Sequence, residues 1–287
     1  MIMKFIYMNW RKKQMSKKRQ IIDAEYERDA IITWIKTYFC NNGNENTKAV
    51  IGISGGKDSA IAAALLVRAL GPERVIGVLM PNGLQKDIDD AYRVCEVLGI
   101  KTYLMNIGDA CAELYESFMN NTELPLSRQI ETNTPARLRM TVLYMIAAAV
   151  GGRVCNTDNA SERYIGYFTK YGDGAGDFAL FSKYYVREVL AIGHTLSELP
   201  ADLIDKAPAD GMCGKTDEDN IGFTYETLDS YLLEENCPDY VTLCRIQELH
   251  RYSGHKINSV ALPYPNCMSR HDEDKEWPDS EITRYYF

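Results

Sequence analysis

Residues 52–59 run Gly-Ile-Ser-Gly-Gly-Lys-Asp-Ser, and these residue types suit the holding of phosphate. Unpaired backbone N–H groups and the positive end of the helix dipole make a helix N-terminus an anion site. Gly55 and Gly56 lack the Cβ atoms that would keep a phosphate chain off the backbone. Ser54 and Ser59 add hydroxyl donors, and Lys57 adds positive charge. Gly52, Ile53, Ser54, Gly55, Gly56, Lys57, Asp58 and Ser59 are therefore the candidate triphosphate-binding positions. The octet is not a Walker A motif, which needs Gly, four residues and then Gly-Lys-Ser/Thr. Here Asp58 follows Lys57, and Ile51 stands where the first Gly belongs. An acid inside a phosphate loop repels phosphate unless a cation lies between them, so Asp58 implies Mg²⁺ bridging protein and triphosphate.

The elements around the octet must position it. Residues 48–54 are apolar and β-branched, as in a buried parallel strand. The Ala- and Leu-rich run behind the octet reads as a helix that stops at Gly71-Pro72. An amphipathic helix is expected over 21–39, a second strand over 74–80, a helix over 87–98 and a third strand over 101–107. This β-α-β-α-β order predicts an α/β fold with a doubly wound, Rossmann-like parallel sheet and right-handed crossovers. Ligands then bind at the carboxyl ends of the strands. Thr134 reads as an N-cap and Pro135 as the first residue of the next helix, which runs to Gly151-Gly152. After Arg139 that helix carries no charge, so burial on every side is expected, against a partner subunit as well as the sheet, which predicts a homodimer. Residues 153–156 form a short fourth strand. Beyond Thr157 the chain is polar, helical and rich in loops; a helix is expected over 184–194 and loop over 202–219.

Composition removes other classes. The net charge is −8 and the hydrophobic fraction 46%, with a sequence pI near 5.2. An acidic protein lacks the basic face that nucleic acid calls for. No apolar run approaches the roughly 20 residues of a membrane span. Residues 1–19 are basic (Lys4, Arg11, Lys12, Lys13, Lys17, Lys18, Arg19) and lack the order of a secretory signal. They read as a disordered extension, with Met15 an alternative start, rather than as a nucleic-acid arm. Residues 20–287 read as a single domain. The eight cysteines include no Cys-x-x-Cys pair, which removes the usual zinc and iron–sulfur patterns and suits a reducing cytoplasm.

Ser-Gly-Gly-Lys-Asp-Ser resembles the signature of the N-type ATP pyrophosphatases, of the adenine nucleotide alpha-hydrolase-like fold. The resemblance implies cleavage of ATP between the α and β phosphates, with the loop gripping pyrophosphate. Further motifs resemble the ammonia-dependent NAD⁺ synthetases over roughly residues 20–260. They are Ala136-Arg137-Leu138-Arg139-Met140, Asn156-Thr157-Asp158-Asn159-Ala160-Ser161-Glu162, the 166–177 stretch, Lys206-Ala207-Pro208-Ala209-Asp210, residues 216–219 and 222–225, and His255-Lys256. That family uses ATP to adenylate the nicotinate carboxylate of deamido-NAD⁺, and ammonia then displaces AMP.

The resemblance implies ATP, deamido-NAD⁺ and ammonia as partners. Asp58 and Glu162 could share Mg²⁺, and Thr157 could bind adenosine or phosphate. Arg137, Lys170, Asp177, His255 and Lys256 are the candidate deamido-NAD⁺ contacts. Lys57, Asp58 and Asp173 are the candidate catalytic residues; Asp173, or Asp177, could bind ammonium and take its proton. Two departures stand out. Val186 occupies a position where the family supplies Lys to ATP, leaving Arg187 as the substitute, and Ala209 replaces a Thr. The absence of an amidase segment ahead of the loop predicts direct use of ammonia. The alternatives are a related ligase acting on a purine nucleotide or a tRNA base, or a catalytically silent nucleotide-binding regulator.

Overall fold

Alternation along the first strands sets the architecture, because successive side chains of a strand point to opposite faces. Ala49 and Ile51 enter one apolar cluster while Val50 enters another. Val75 and Leu79 join the first cluster, and Ile76 and Val78 the second. A sheet buried on both faces needs helices on both, which a doubly wound fold provides.

The computed structural model describes residues 22–85, 88–206 and 216–257. The basic N-terminal arm, the Ala207–Asp210 segment with Ala209, and the stretch from Asn258 lie outside the described residues. In chain order the elements are α1 (Ala24–Asn41), β1 (Ala49–Gly52), α2 (Lys57–Leu70), β2 (Val75–Leu79), α3 (Ile88–Leu98), β3 (Lys101–Leu104), α4 (Gly108–Asn121) and α5 (Arg128–Val150). There follow β4 (Arg153–Asn156), α6 (Ala160–Ile165), β5 (Phe178–Ala179), α7 (Val186–Gly193), α8 (Ala201–Ile204), α9 (Asp217–Ile221), α10 (Tyr225–Leu232) and α11 (Tyr240–Ile257). The sheet order is β3-β2-β1-β4-β5, with every pairing parallel. Helices α1, α2, α3, α7 and α8 cover one face; α4 and α5 cover the other. A third cluster, built from Ile165, Val186, Ile221, Tyr225, Leu228 and Ile246, joins the C-terminal helices. No helix among the described residues is long and apolar enough to cross a membrane.

Three expectations change. Helix α5 begins at Arg128, capped by the Ser127 hydroxyl, and Pro135 lies inside it. Proline cannot bond the carbonyl four residues back. That carbonyl belongs to Glu131, and the Tyr115 hydroxyl of α4 donates to it at 3.3 Å. The packing of α4 thus supplies the bond that Pro135 cannot. Nor is α5 buried on every side in the single chain. Met140, Leu143 and Ala147 face the sheet, while Tyr144 and Met145 are exposed on the outside. The stretch expected as loop over 202–219 carries short helices at both ends, α8 and α9, the latter started by the Thr216 cap, and the two-residue β5 has no counterpart in the sequence pattern.

Candidate active site

Strand β1 ends at Gly52, and Gly55 turns the chain with φ +81°, a conformation that favours glycine. The loop's own hydroxyls set its shape. Gly56 N–H donates to Ser54 Oγ (3.1 Å), Ser54 N–H to Ser59 Oγ (3.3 Å), and Ser59 Oγ to the Gly56 carbonyl (3.0 Å). No side chain caps α2, so its first-turn N–H groups remain available to an anion. Lys57 is buried and donates to Asp58 Oδ2 at 2.8 Å. Burial opposes its charge, but Asp58, Glu162 and then Asp217 outweigh that and raise its pKa.

Acids gather one strand away, at the end of β4. Asn159 caps α6 in a capping box with Glu162, leaving one Glu162 oxygen outside that bond. Burial, then the charge of Asp58, pushes the Glu162 carboxyl well above the usual range. Asp58 Oδ1 is buried with no hydrogen-bond partner. Among the described residues no group of three His, Cys, Asp or Glu side chains encloses a metal. A pair of carboxylates beside a phosphate loop still fits Mg²⁺, which takes one or two carboxylates and fills its sphere with phosphate oxygens and water.

The Asn156 side chain ties the strand end to the glycine-rich loop. Its Nδ2 donates to the carbonyls of Asp173 (2.6 Å) and Ala175 (3.1 Å), and its Oδ1 accepts the Asp158 N–H (3.0 Å). A Cβ on Gly176 would lie 2.8 Å from Asn156 Cβ, so only glycine permits this approach. Asp173 opens to the cavity and accepts the Thr169 N–H at 3.0 Å. The depth of the cleft still raises its pKa, with Thr169 and Lys256 opposing. Lys256 reaches in from α11 and donates to the Gly166 and Phe168 carbonyls at 2.8 and 2.9 Å. Loop, acids and Lys256 line one cleft of about 640 Å³.

The NAD synthase family model matches residues 27–260. The NH(3)-dependent NAD(+) synthetase of Methanococcoides burtonii is 41% identical over 214 residues, 74% of this chain and 80% of that protein. That of Alkaliphilus metalliredigens is 36% identical over 83% of this chain and 97% of its own. The chain belongs to the NAD synthase family. Among solved structures, NMN synthetase from Francisella tularensis superposes with a TM-score of 0.77 at 34% identity, covering 85% of this chain and all of that one. The NH3-dependent NAD synthetase from Campylobacter jejuni gives 0.66 at 27%, with the same coverages.

Against this family's motifs, the fold sorts the candidate residues into two groups. The octet, Thr157, Glu162, Asp173 and Lys256 line the cleft. Arg137, Lys170 and His255 form a chain outside it: Arg137 Nε donates to the Lys170 carbonyl (3.2 Å), and Lys170 Nζ to the His255 carbonyl (2.5 Å). Asp177 also sits outside, accepting Val154 N–H (2.7 Å) and the Tyr144 hydroxyl (3.3 Å). Arg187 pairs with Glu235, and Val186 is buried in the third cluster. Asn156, Asp158 and Arg139 line the cleft but were not singled out. Asn156 and Asp158 flank Thr157 in the motif, and that adjacency was the available signal.

Behind the site, the buried Asp229 ties α6 to α7. It accepts from the Ser161 hydroxyl and from the Arg187 N–H (3.0 Å). Burial raises its pKa from 3.8 to about 6, against the pull of the Ser161 and Arg187 bonds. Such a carboxyl contributes most to stability below its unfolded pKa and loses that contribution as pH rises through the folded one. Asp229→Asn should remove this loss. The mutant's stability relative to wild type is then expected to climb by roughly 2–3 kcal/mol between pH 4 and pH 7.5. Urea unfolding at the two pH values measures it; a pH-independent difference refutes the assignment.

Proposed function

We propose that this chain makes NAD⁺ from deamido-NAD⁺, ATP and ammonia through an acyl-adenylate, releasing pyrophosphate and then AMP. One observation carries the reading: an uncapped helix N-terminus, whose first turn holds a buried, unpartnered Asp58 oxygen, lies in one cleft with the raised carboxyl of Glu162. That is a phosphate cradle that wants a cation, in a family whose relatives are named for this reaction. Lys57 and the octet hold the departing pyrophosphate. Asp58 and Glu162 hold Mg²⁺, which when bound neutralises charge on that leaving group. Thr157 contacts adenosine or phosphate, and Arg187 enters the ATP site only by exchanging Glu235 for phosphate. Asp173 binds ammonium and takes its proton.

A second copy completes the substrate site in this reading. Arg137, Thr141, Tyr144 and Ala148 repeat at helical spacing on the outer face of α5. Met145 there is 60% exposed, and Leu114 and Met119 of neighbouring α4 are 48% and 53% exposed. Arg137, Lys170, His255 and the Tyr144-bound Asp177 border this apolar face. It is the surface where a dinucleotide could run between two copies. Met145→Glu is expected to convert a dimer to a 32.6 kDa monomer by light scattering and to raise KM for deamido-NAD⁺. A wild-type monomer would end this part of the proposal. Cys40, Cys95, Cys111, Cys155 and Cys244 are free thiols, which supports a cytoplasmic setting.

The likeness to NMN synthetase supports a second reading, in which the acid amidated is the mononucleotide. The test is mass-spectrometric detection of product from protein, ATP, Mg²⁺ and ammonium chloride. Deamido-NAD⁺ and nicotinic acid mononucleotide are supplied in separate arms, and glutamine replaces ammonium in a third. NAD⁺ from ammonium supports the first reading, faster turnover of the mononucleotide the second, and a preference for glutamine defeats both.

A further inference from the structure

We infer that Arg139 is a catalytic residue of this cleft, an oxyanion clamp whose guanidinium edge takes two oxygens of the reacting carboxyl or phosphoryl group. The inference rests on the reading above for which oxyanions enter the cleft. Its geometry begins with helix phase. Arg137 and Arg139 stand roughly 200° apart around α5, so only one can face inward. Arg137 is exposed, whereas Arg139 adjoins the inward Met140 and Leu143 and lines the cleft. Its Nε donates to the Met80 carbonyl at 2.9 Å. Met80 follows β2, whose Val78 carbonyl accepts the Ile53 N–H at the start of the phosphate loop. The guanidinium is thus pinned one strand from that loop.

Only Nε is engaged: among the described residues the terminal nitrogens of Arg139 have no hydrogen-bond or ion-pair partner. The other cleft cations are committed within the protein, Lys57 to Asp58, Lys206 to Asp90, Arg128 to Asn220 and Lys256 to two carbonyls. Burial pulls the Arg139 pKa down while Cys111 and then Asp173 pull it up, yet a guanidinium keeps its charge. A half-buried cation without a counter-ion is costly, and a ligand oxyanion would offset that cost. The planar fork matches two oxygens of a carboxylate or phosphoryl group in a way an ammonium does not. In the adenylation step a carboxylate oxygen bonds to the α-phosphorus. The bond from that phosphorus to the β-bridging oxygen breaks, and pyrophosphate leaves with the electron pair. Arg139 neither gains nor loses a proton; it holds oxygens whose charge shifts.

Arg139→Lys keeps a charge that can reach the Met80 carbonyl but loses the fork, and Arg139→Met loses both. The lysine variant should melt within a few degrees of wild type and release pyrophosphate about 10²-fold more slowly. Calorimetric titration with α,β-methylene-ATP, deamido-NAD⁺ and NAD⁺ assigns the oxyanion. About tenfold weaker binding of the ATP analogue places Arg139 on phosphoryl oxygens. The same loss for deamido-NAD⁺ and not for NAD⁺ places it on the carboxylate. Wild-type turnover in Arg139→Lys overturns the inference, as does unchanged binding of all three ligands by both variants. A wild-type protein that forms no NAD⁺ removes the functional reading instead, and the ATP-analogue titration still decides Arg139.

Discussion

Glu162→Gln is expected to lower turnover by about 10²- to 10³-fold while raising the melting temperature of the ligand-free protein. The two effects have one cause. In the free protein the Glu162 carboxyl is disfavoured as an anion, first by burial and then by Asp58. A carboxyl whose folded pKa is raised stabilises the fold at low pH and loses that contribution as pH climbs through the folded value. Above that raised value an ionised Glu162 is therefore a cost. Gln removes the charge and retains the α6 capping box, since Gln serves at that position as well as Glu. With the charge goes the second carboxylate offered to Mg²⁺, so half-maximal activity should need a higher Mg²⁺ concentration. Differential scanning calorimetry without ligand, and pyrophosphate release across a Mg²⁺ series, report the two effects. A variant that loses stability and keeps its Mg²⁺ dependence would show that Glu162 only caps a helix.

The sequence disclosed the parts of this site that are contiguous. The octet carries its own strand, turn and helix start, so its position at the end of a central strand follows from local pattern alone. The candidate residues outside the cleft are placed by something else: their motifs are local, but their directions are tertiary. Arg137 and Arg139 share one five-residue motif and differ only in helix phase. The inward positions Ala136, Met140, Leu143 and Ala147 fix that phase, and reading them would have favoured Arg139. Local pattern reads Pro135 as a helix start, whereas the bond to the Glu131 carbonyl that lets it lie inside α5 comes from Tyr115, twenty residues upstream and on another helix. No local rule reports that. Val186 shows the limit of motif transfer: where the resemblance leads one to expect a Lys for ATP, this chain packs a valine into the third cluster. The short β5 is held by its register with Cys155 and Asn156 rather than by its own composition.

Asp173→Asn is expected to separate the two half-reactions. Adenylation does not call on Asp173, so pyrophosphate release should persist. Amide formation should fall by about 10²- to 10⁴-fold, the range of a lost general base. The stranded adenylate then meets water, and AMP accumulates without a matching amount of NAD⁺. The pH profile carries a second signature. Asp173 must be ionised to accept a proton from ammonium, and burial holds its pKa above the ordinary aspartate value despite the bonds from Thr169 and the charge of Lys256. Wild-type turnover at fixed total ammonium should therefore fall as pH drops through that raised value. In Asp173→Asn that limb should vanish, leaving a rate that follows free ammonia alone and climbs steadily toward alkaline pH. Asn keeps an oxygen to accept the Thr169 N–H, so the glycine-rich loop should hold its shape. The ratio of AMP to NAD⁺ is the decisive quantity. If pyrophosphate, AMP and NAD⁺ all fall together, Asp173 serves the loop's architecture or ATP binding, and ammonium is handled elsewhere in the cleft.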